Sequence, residues 1–304
     1  MIFVVAAVVI LGGGSLIALG LRGDGGGSGG GLLPSSLTLG DESPTPSASP
    51  SPTGPTPEEL AAAARAKQVK ALDKALKKLD ADSPEFSVAV LDKTTGQKYA
   101  YRGTEKYETA SIVKVQVMAC MLLEAQEKDR EPTAGEMDLA KPMIRLSDNN
   151  ATTSLFTHLG GRTAINACNA KLGLTQTTVS SSWGLTKTTV DDQVKLLGEL
   201  VDTKGPLDAG SRKTAFGLMN SVDETQTWGV PAAGRTGETT TVKNGWLSRS
   251  TDNNLWIINT VGRITGDDDT NVSIAVLSHN NATMDSGITL VEKVAKLTRT
   301  YLKY

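Results

Sequence analysis

Between Ile112 and Leu123 the chain carries only two polar side chains, Lys114 and Gln116. A helix that is apolar all round cannot lie on a surface, so this one has to be buried. The rest of the chain must therefore supply layers that wrap it. Residues 86–91 and 97–101 read as two strands around the turn Lys93-Thr94-Thr95-Gly96. Residues 239–245, 255–261 and 272–278 read as three more. Between the two groups lie several helical segments up to Leu172, one at 189–201 and another at 211–220. A helix starting at Thr56-Pro57-Glu58-Glu59 and running to about Leu79 precedes the first strand, and one at 287–301 follows the last. The expected architecture is α+β: a five-stranded antiparallel sheet flanked by the terminal helices, with an all-helical lobe beside it.

The N-terminal region reads differently. Residues 2–21 are apolar, Gly or Ser without a charge, long enough to cross a bilayer. No basic stretch precedes them and no clear cleavage signal precedes Arg22, so residues 1–22 read as an uncleaved anchor, with a signal peptide as the alternative. Residues 23–57 are Gly-rich and then Ser/Pro/Thr-rich, the composition of a disordered tether. Residues 58–304 form the expected globular domain, placed outside the cell and either membrane-anchored or secreted. The net charge is −2 and no Lys/Arg block occurs, which argues against a nucleic-acid partner. The domain is expected to be a monomer. Cys120 and Cys168 are the only cysteines. An exported pair permits a disulfide, but both fall in apolar helical patterns, and the preferred reading is two free core residues.

Three short motifs carry the chemistry. Ser111 and Lys114, at i and i+3 on the entry to the apolar helix, put a weak nucleophile beside a base that burial would keep neutral. The Ser111 backbone N–H, near a helix N-terminus, is placed to meet a developing oxyanion. Ser147-Asp148-Asn149 follows, with Ser147 as proton relay, Asp148 holding the loop and Asn149 donating to substrate and to Lys114. Lys243-Asn244-Gly245 ends a strand. Lys243 would hold a substrate carboxylate, Gly245 would let substrate approach the strand edge, and Trp246 at the pocket mouth would offer a second oxyanion N–H. Alone, each motif has a plainer reading as a cap, a turn or a solvent-facing lysine. Their order on a matching strand and helix pattern selects the chemical one.

With these motifs the chain resembles the serine β-lactamase and penicillin-binding D-Ala-D-Ala peptidase superfamily, specifically the class A-related serine hydrolases of high-GC Gram-positive bacteria. Met143-Ile144 ahead of Ser147, Trp228-Gly229-Val230, the run from Val242 to Leu247 and the strand Ile274-Ala275-Val276-Leu277 extend the likeness over nearly all of residues 58–304. The resemblance implies an acyl-enzyme on Ser111, with Lys114 as base partner, Ser147 as relay and Lys243 as the anion and proton-network lysine. Its substrate would be a β-lactam or a cell-wall peptide, and no cofactor or metal is expected. The alternatives are a peptidase without lactamase turnover, or an idle muropeptide-binding module.

The third motif departs from the family's K-T-G, so Asn244 replaces the hydroxyl that helps hold the substrate carboxylate and would donate its amide instead, and the Ser111–Ser147 interval is short. The family's water-activating glutamate also has no counterpart, since the stretch from Leu174 to Leu185 holds no carboxylate. Asp191 and Asp192 follow at a helix start, where acids serve the dipole. Deacylation is therefore expected to be slow. His158 and His279 stand apart from all three motifs and read as ordinary satisfied histidines rather than metal ligands.

Overall fold

The structure, a computed structural model, describes residues 54–304; the expected membrane segment at 2–21 and nearly all of the expected tether lie outside the described residues. Helix α1 (Pro57–Asp80) leads into strands β1 (Phe86–Asp92) and β2 (Lys98–Tyr101). After a two-residue strand β3 (Tyr107–Glu108) come α2 (Val113–Glu127), α3 (Ala134–Arg145), α4 (Asn149–His158) and α5 (Gly161–Lys171). A second short strand β4 (Lys187–Thr188) precedes α6 (Val190–Glu199) and α7 (Ala209–Met219). The chain closes with β5 (Thr239–Ser248), β6 (Trp256–Thr265), β7 (Asn271–Asn281) and α8 (Met284–Leu302). Among the described residues no helix is long and apolar enough to cross a membrane.

The five long strands form one antiparallel sheet in the order β2-β1-β7-β6-β5. In β1, Val88 and Val90 face one hydrophobic layer while Ala89 and Leu91 face the other. The inner strands are thus covered on both sides, which is why they read as continuous apolar runs rather than alternating ones. Leu72 and Leu76 of α1 and Val291 and Val294 of α8 cover one face. The helical lobe covers the other, built around α2, whose residues from Val113 to Leu123 are all buried. A Thr56/Glu59 capping box starts α1, as its sequence signal predicts.

Two features depart from expectation. The first is the small β3–β4 ladder, pairing Tyr107 with Thr188 and Glu108 with Lys187; strands this short leave no periodicity to read. The second corrects the reading of free cysteines: Cys120 and Cys168 form a disulfide that ties α2 to α5, with Cα atoms 5.8 Å apart. Apolar helical surroundings suit a free thiol and a buried bridge equally. What decides is the facing of α2 and α5, a tertiary fact.

Candidate active site

Ser111 sits in a single turn of tight helix, Ala110–Ile112, immediately before α2. In such a turn side chains at i and i+3 eclipse, and the Lys114 Nζ lies 2.9 Å from the Ser111 Oγ. Ala110 adopts φ 45°, a left-handed conformation that costs a side-chain-bearing residue on the order of 1–3 kcal/mol. The surroundings hold it there. The Asn259 side chain on β6 donates to the carbonyls of Glu108 (2.8 Å) and Thr109 (3.1 Å). From the other side β5 presses Gly245 against the same turn. A Cβ at Gly245 would lie 2.7 Å from the Ser111 nitrogen. The expectation gave this glycine to substrate approach; the structure shows it admitting the backbone of the Ser111 turn.

Ser147 arrives from the end of α3. The Pro142 carbonyl accepts from both Leu146 N and Asp148 N, and Ser147 turns into the left-handed region at φ 57°. Asp148 then caps α4, its Oδ1 accepting from Ala151 N at 2.7 Å. This corner aims three groups at Lys114, whose Nζ lies 2.7 Å from the Ser147 carbonyl, 3.0 Å from the Ser147 Oγ and 2.9 Å from the Asn149 Oδ1. Asn149 therefore accepts from Lys114, where the sequence reading had it donate. Lys243 reaches the same hydroxyl from β5, its Nζ 3.0 Å from the Ser147 Oγ and 2.9 Å from the Asn244 carbonyl.

The pattern fixes what Lys114 can do. The Ser147 carbonyl and Asn149 Oδ1 can only accept, and a neutral amine has two N–H groups to give them. Its lone pair is then left for the hydroxyls of Ser111 and Ser147. Burial, only partly opposed by the Asp148 charge, lowers the Lys114 pKa to about 7. Lys243 is pushed well down as well, by burial first and by repulsion from Lys114 second. Both lysines are 0 % exposed.

A cavity of about 870 Å³ opens onto Ser111, Asn149 and Trp246. Its lining also includes Phe156, Trp183 and Leu247, and among the lining residues Arg162 alone is charged. Trp183, which also packs against the hydrophobic core of the helical lobe, bridges this wall. Its Nε1 donates to the Thr153 Oγ1 at 3.1 Å, and its ring centre lies 5.1 Å from the Lys114 Nζ. The signal that could have found it is a tryptophan set directly after a run of serines.

Asn244 points elsewhere. Its Nδ2 donates to the carbonyls of Gln226 (2.8 Å) and Trp228 (2.9 Å), and the residue is 1 % exposed. It braces the 226–228 turn, so the donors expected to meet a carboxylate are already engaged. The aspartates after the carboxylate-free stretch are also held away from the cavity. The Asp192 Oδ2 accepts from the Thr177 Oγ1 at 2.6 Å and from Gln176 N at 2.9 Å, while Asp191 packs against Gly103. Of the histidines, His158 lies 3.3 Å from a Glu136 oxygen and His279 contacts Glu85. Among the described residues no three His, Cys, Asp or Glu side chains gather as a metal site.

Lys114 and Lys243 share the Ser147 hydroxyl, Lys114 also reaches Ser111, and the cluster sits against the edge strand β5. The sequence profile of the Beta-lactamase enzyme family matches residues 68–134 and 136–302, and the chain belongs to that family. The fold is that of class A β-lactamases. The reconstructed last common ancestor of the Gram-negative bacterial class A β-lactamases superposes with a TM-score of 0.65 at 22 % identity, covering 75 % of this chain and 99 % of the other. The chromosome-encoded β-lactamase of Vibrio parahaemolyticus gives 0.65 at 17 % identity, covering 76 % and 99 %. By sequence, the lipoprotein candidate LppW of Mycobacterium tuberculosis is 28 % identical over 170 residues, 53 % of this chain and 54 % of LppW. The chain spans about half the length of the curated relatives it matches.

Proposed function

We propose that this protein is an acyl-enzyme-forming serine hydrolase in which Ser111 attacks the carbonyl of a small acyl substrate, with β-lactams and cell-wall peptides as the substrates the family suggests. The observation that carries the reading is the disposition of Lys114: two fixed acceptors take its N–H groups and leave its lone pair on the Ser111 hydroxyl. Lys114 takes the Ser111 proton as the Oγ–carbonyl bond forms. The Ser147 Oγ, hydrogen-bonded to both lysines, hands a proton to the leaving group. The backbone N–H groups of Ser111 and Trp246 serve as the oxyanion donors.

Release of the acyl group is the slow half. Among the described residues no carboxylate lines the cavity to activate water, and Trp183 covers the Lys114 amine. The acyl-enzyme is therefore long-lived. The Cys120–Cys168 bridge and the likeness to a lipoprotein candidate support an exported domain, consistent with a membrane-tethered or secreted form. The test is intact-mass analysis after incubation with a penicillin. A persistent adduct, absent in Ser111→Ala, is expected. Rapid turnover of a chromogenic cephalosporin that depends on Ser111 would refute slow deacylation. No adduct from any acyl donor would refute the enzyme reading and favour a binding module.

A further inference from the structure

The cavity in front of Ser111 is built for a different kind of acyl donor from the one the motif set suggests. A carboxylate carried into it needs a partner, because an unpaired charge in an apolar site is strongly disfavoured. Three groups stand close enough along β5 and α2 to be candidates, and each is closed off. Both amide hydrogens of Asn244 are on backbone carbonyls, and Asn244 itself is 1 % exposed. Lys243 is fully buried, with its nitrogen on Ser147 and on the Asn244 carbonyl. Lys114 is fully buried beneath Trp183. The single charged lining residue, Arg162, opens the first turn of α5, and beside it the wall is formed by Gly160 and Gly161.

What the cavity offers instead is apolar surface. Phe156, Trp183, Leu185, Trp246 and Leu247 line it, and among its lining residues there is no carboxylate. At about 870 Å³ it has room for a ligand of drug size. A neutral donor enters such a space without a desolvated charge.

We propose that the site selects neutral acyl esters with an apolar acyl chain, in preference to substrates that present a carboxylate beside the scissile bond. The proposal rests on the Ser111 acyl-enzyme reading and narrows its substrate class. The Ser111 Oγ bonds to the ester carbonyl carbon, the carbon–oxygen bond to the alcohol breaks, and the Ser111 proton passes by way of Lys114 and Ser147 to the departing alkoxide. Water later adds to the acyl carbon, releasing the carboxylic acid and restoring the Ser111 hydroxyl.

The test uses wild-type protein and pairs of substrates matched in reactivity. Benzylpenicillin and its methyl ester differ at the carboxylate alone, and the rate of Ser111 adduct formation is followed by intact mass. The methyl ester is expected to acylate at least as fast as the free acid. A second series, p-nitrophenyl acetate, butyrate and octanoate, with Ser111→Ala as background, is expected to show kcat/KM rising at least tenfold from acetate to octanoate. This is a conservative reading of the roughly fourfold gain available per buried methylene. Arg162→Gln is expected to leave the ester rates unchanged. A free acid that acylates tenfold faster than its methyl ester would overturn the proposal, as would a flat chain-length series. Loss of benzylpenicillin labelling in Arg162→Gln would do so too, by showing that Arg162 anchors a carboxylate. If neither penicillins nor esters label Ser111, the acyl-enzyme reading itself fails, a result distinct from all of these.

Discussion

On the proposed acyl-enzyme reading, the pH dependence of Ser111 acylation follows from the burial of Lys114. Its pKa falls from 10.5 to about 7. At pH 7 about half of the lysine is then the neutral amine, against roughly 0.03 % for an unperturbed lysine. The buried setting is thus worth about 1,600-fold in available base. Acylation should fall about tenfold per pH unit below the inflection near 7 and level off above it. Because Lys114 and Lys243 share Ser147, that inflection belongs to the pair. Two variants separate the causes. Lys114→Arg places a guanidinium that does not deprotonate, and labelling should drop by about three orders of magnitude. Asp148→Asn removes the charge that favours the protonated lysine while keeping a good helix cap, so the inflection should move to lower pH. The same shift appears in stability with a definite sign. A lysine whose folded pKa is depressed destabilises the fold fully below pH 7, by roughly 5 kcal/mol, and the penalty fades as pH rises toward 10.5. The assay is the initial rate of adduct formation by intact mass between about pH 5 and 9. A flat profile, or an arginine variant that labels like wild type, would refute the reasoning.

Other consequences are as direct. Trp183→Ala should hydrate the amine side of the cavity, moving the acylation inflection upward and shortening the adduct half-life about tenfold, with Trp183→Phe intermediate; unchanged half-lives would show that the indole does not control water. Gly245→Ala puts a methyl group 2.7 Å from the Ser111 nitrogen, so acylation should fall at least about tenfold and the melting temperature should drop by several degrees, measured by intact mass and calorimetry. Opening the Cys120–Cys168 bridge, which joins residues 48 apart, should lower unfolding free energy by about 4 kcal/mol in denaturant titrations of Cys120→Ala/Cys168→Ala against wild type.

Much of this fold and site is legible in the sequence. The five long strands, the terminal helices and the buried α2 follow from apolar runs and turn residues, because those signals are local. The placement of Ser111 against Lys114 follows from helical spacing. Other features came from contacts between distant segments. The direction of the Asn244 amide depends on the 226–228 turn lying beside β5. The role of Gly245 depends on the Ser111 turn seating on that strand. Trp183 becomes a wall of the cavity because its loop is drawn over α4, where Thr153 holds the indole. The cysteine pairing was missed for the same reason: composition sees two small apolar residues, and the bridge exists because two helices face each other.

The division of the site between distant parts of the chain bears on when it becomes reactive. Ser111, Lys114 and Ser147 belong to segments made early, whereas Lys243 and Trp246 lie on β5, and Lys243 meets the Ser147 hydroxyl across 96 residues. As the chain emerges from the ribosome, Ser111 is present long before the strand that seats its turn and brings Lys243 to Ser147. On the proposed acyl-enzyme reading, Ser111 stays inert until β5 docks. A nascent or half-folded copy therefore cannot become trapped as a stable adduct, and covalent labelling of Ser111 would report that folding is complete.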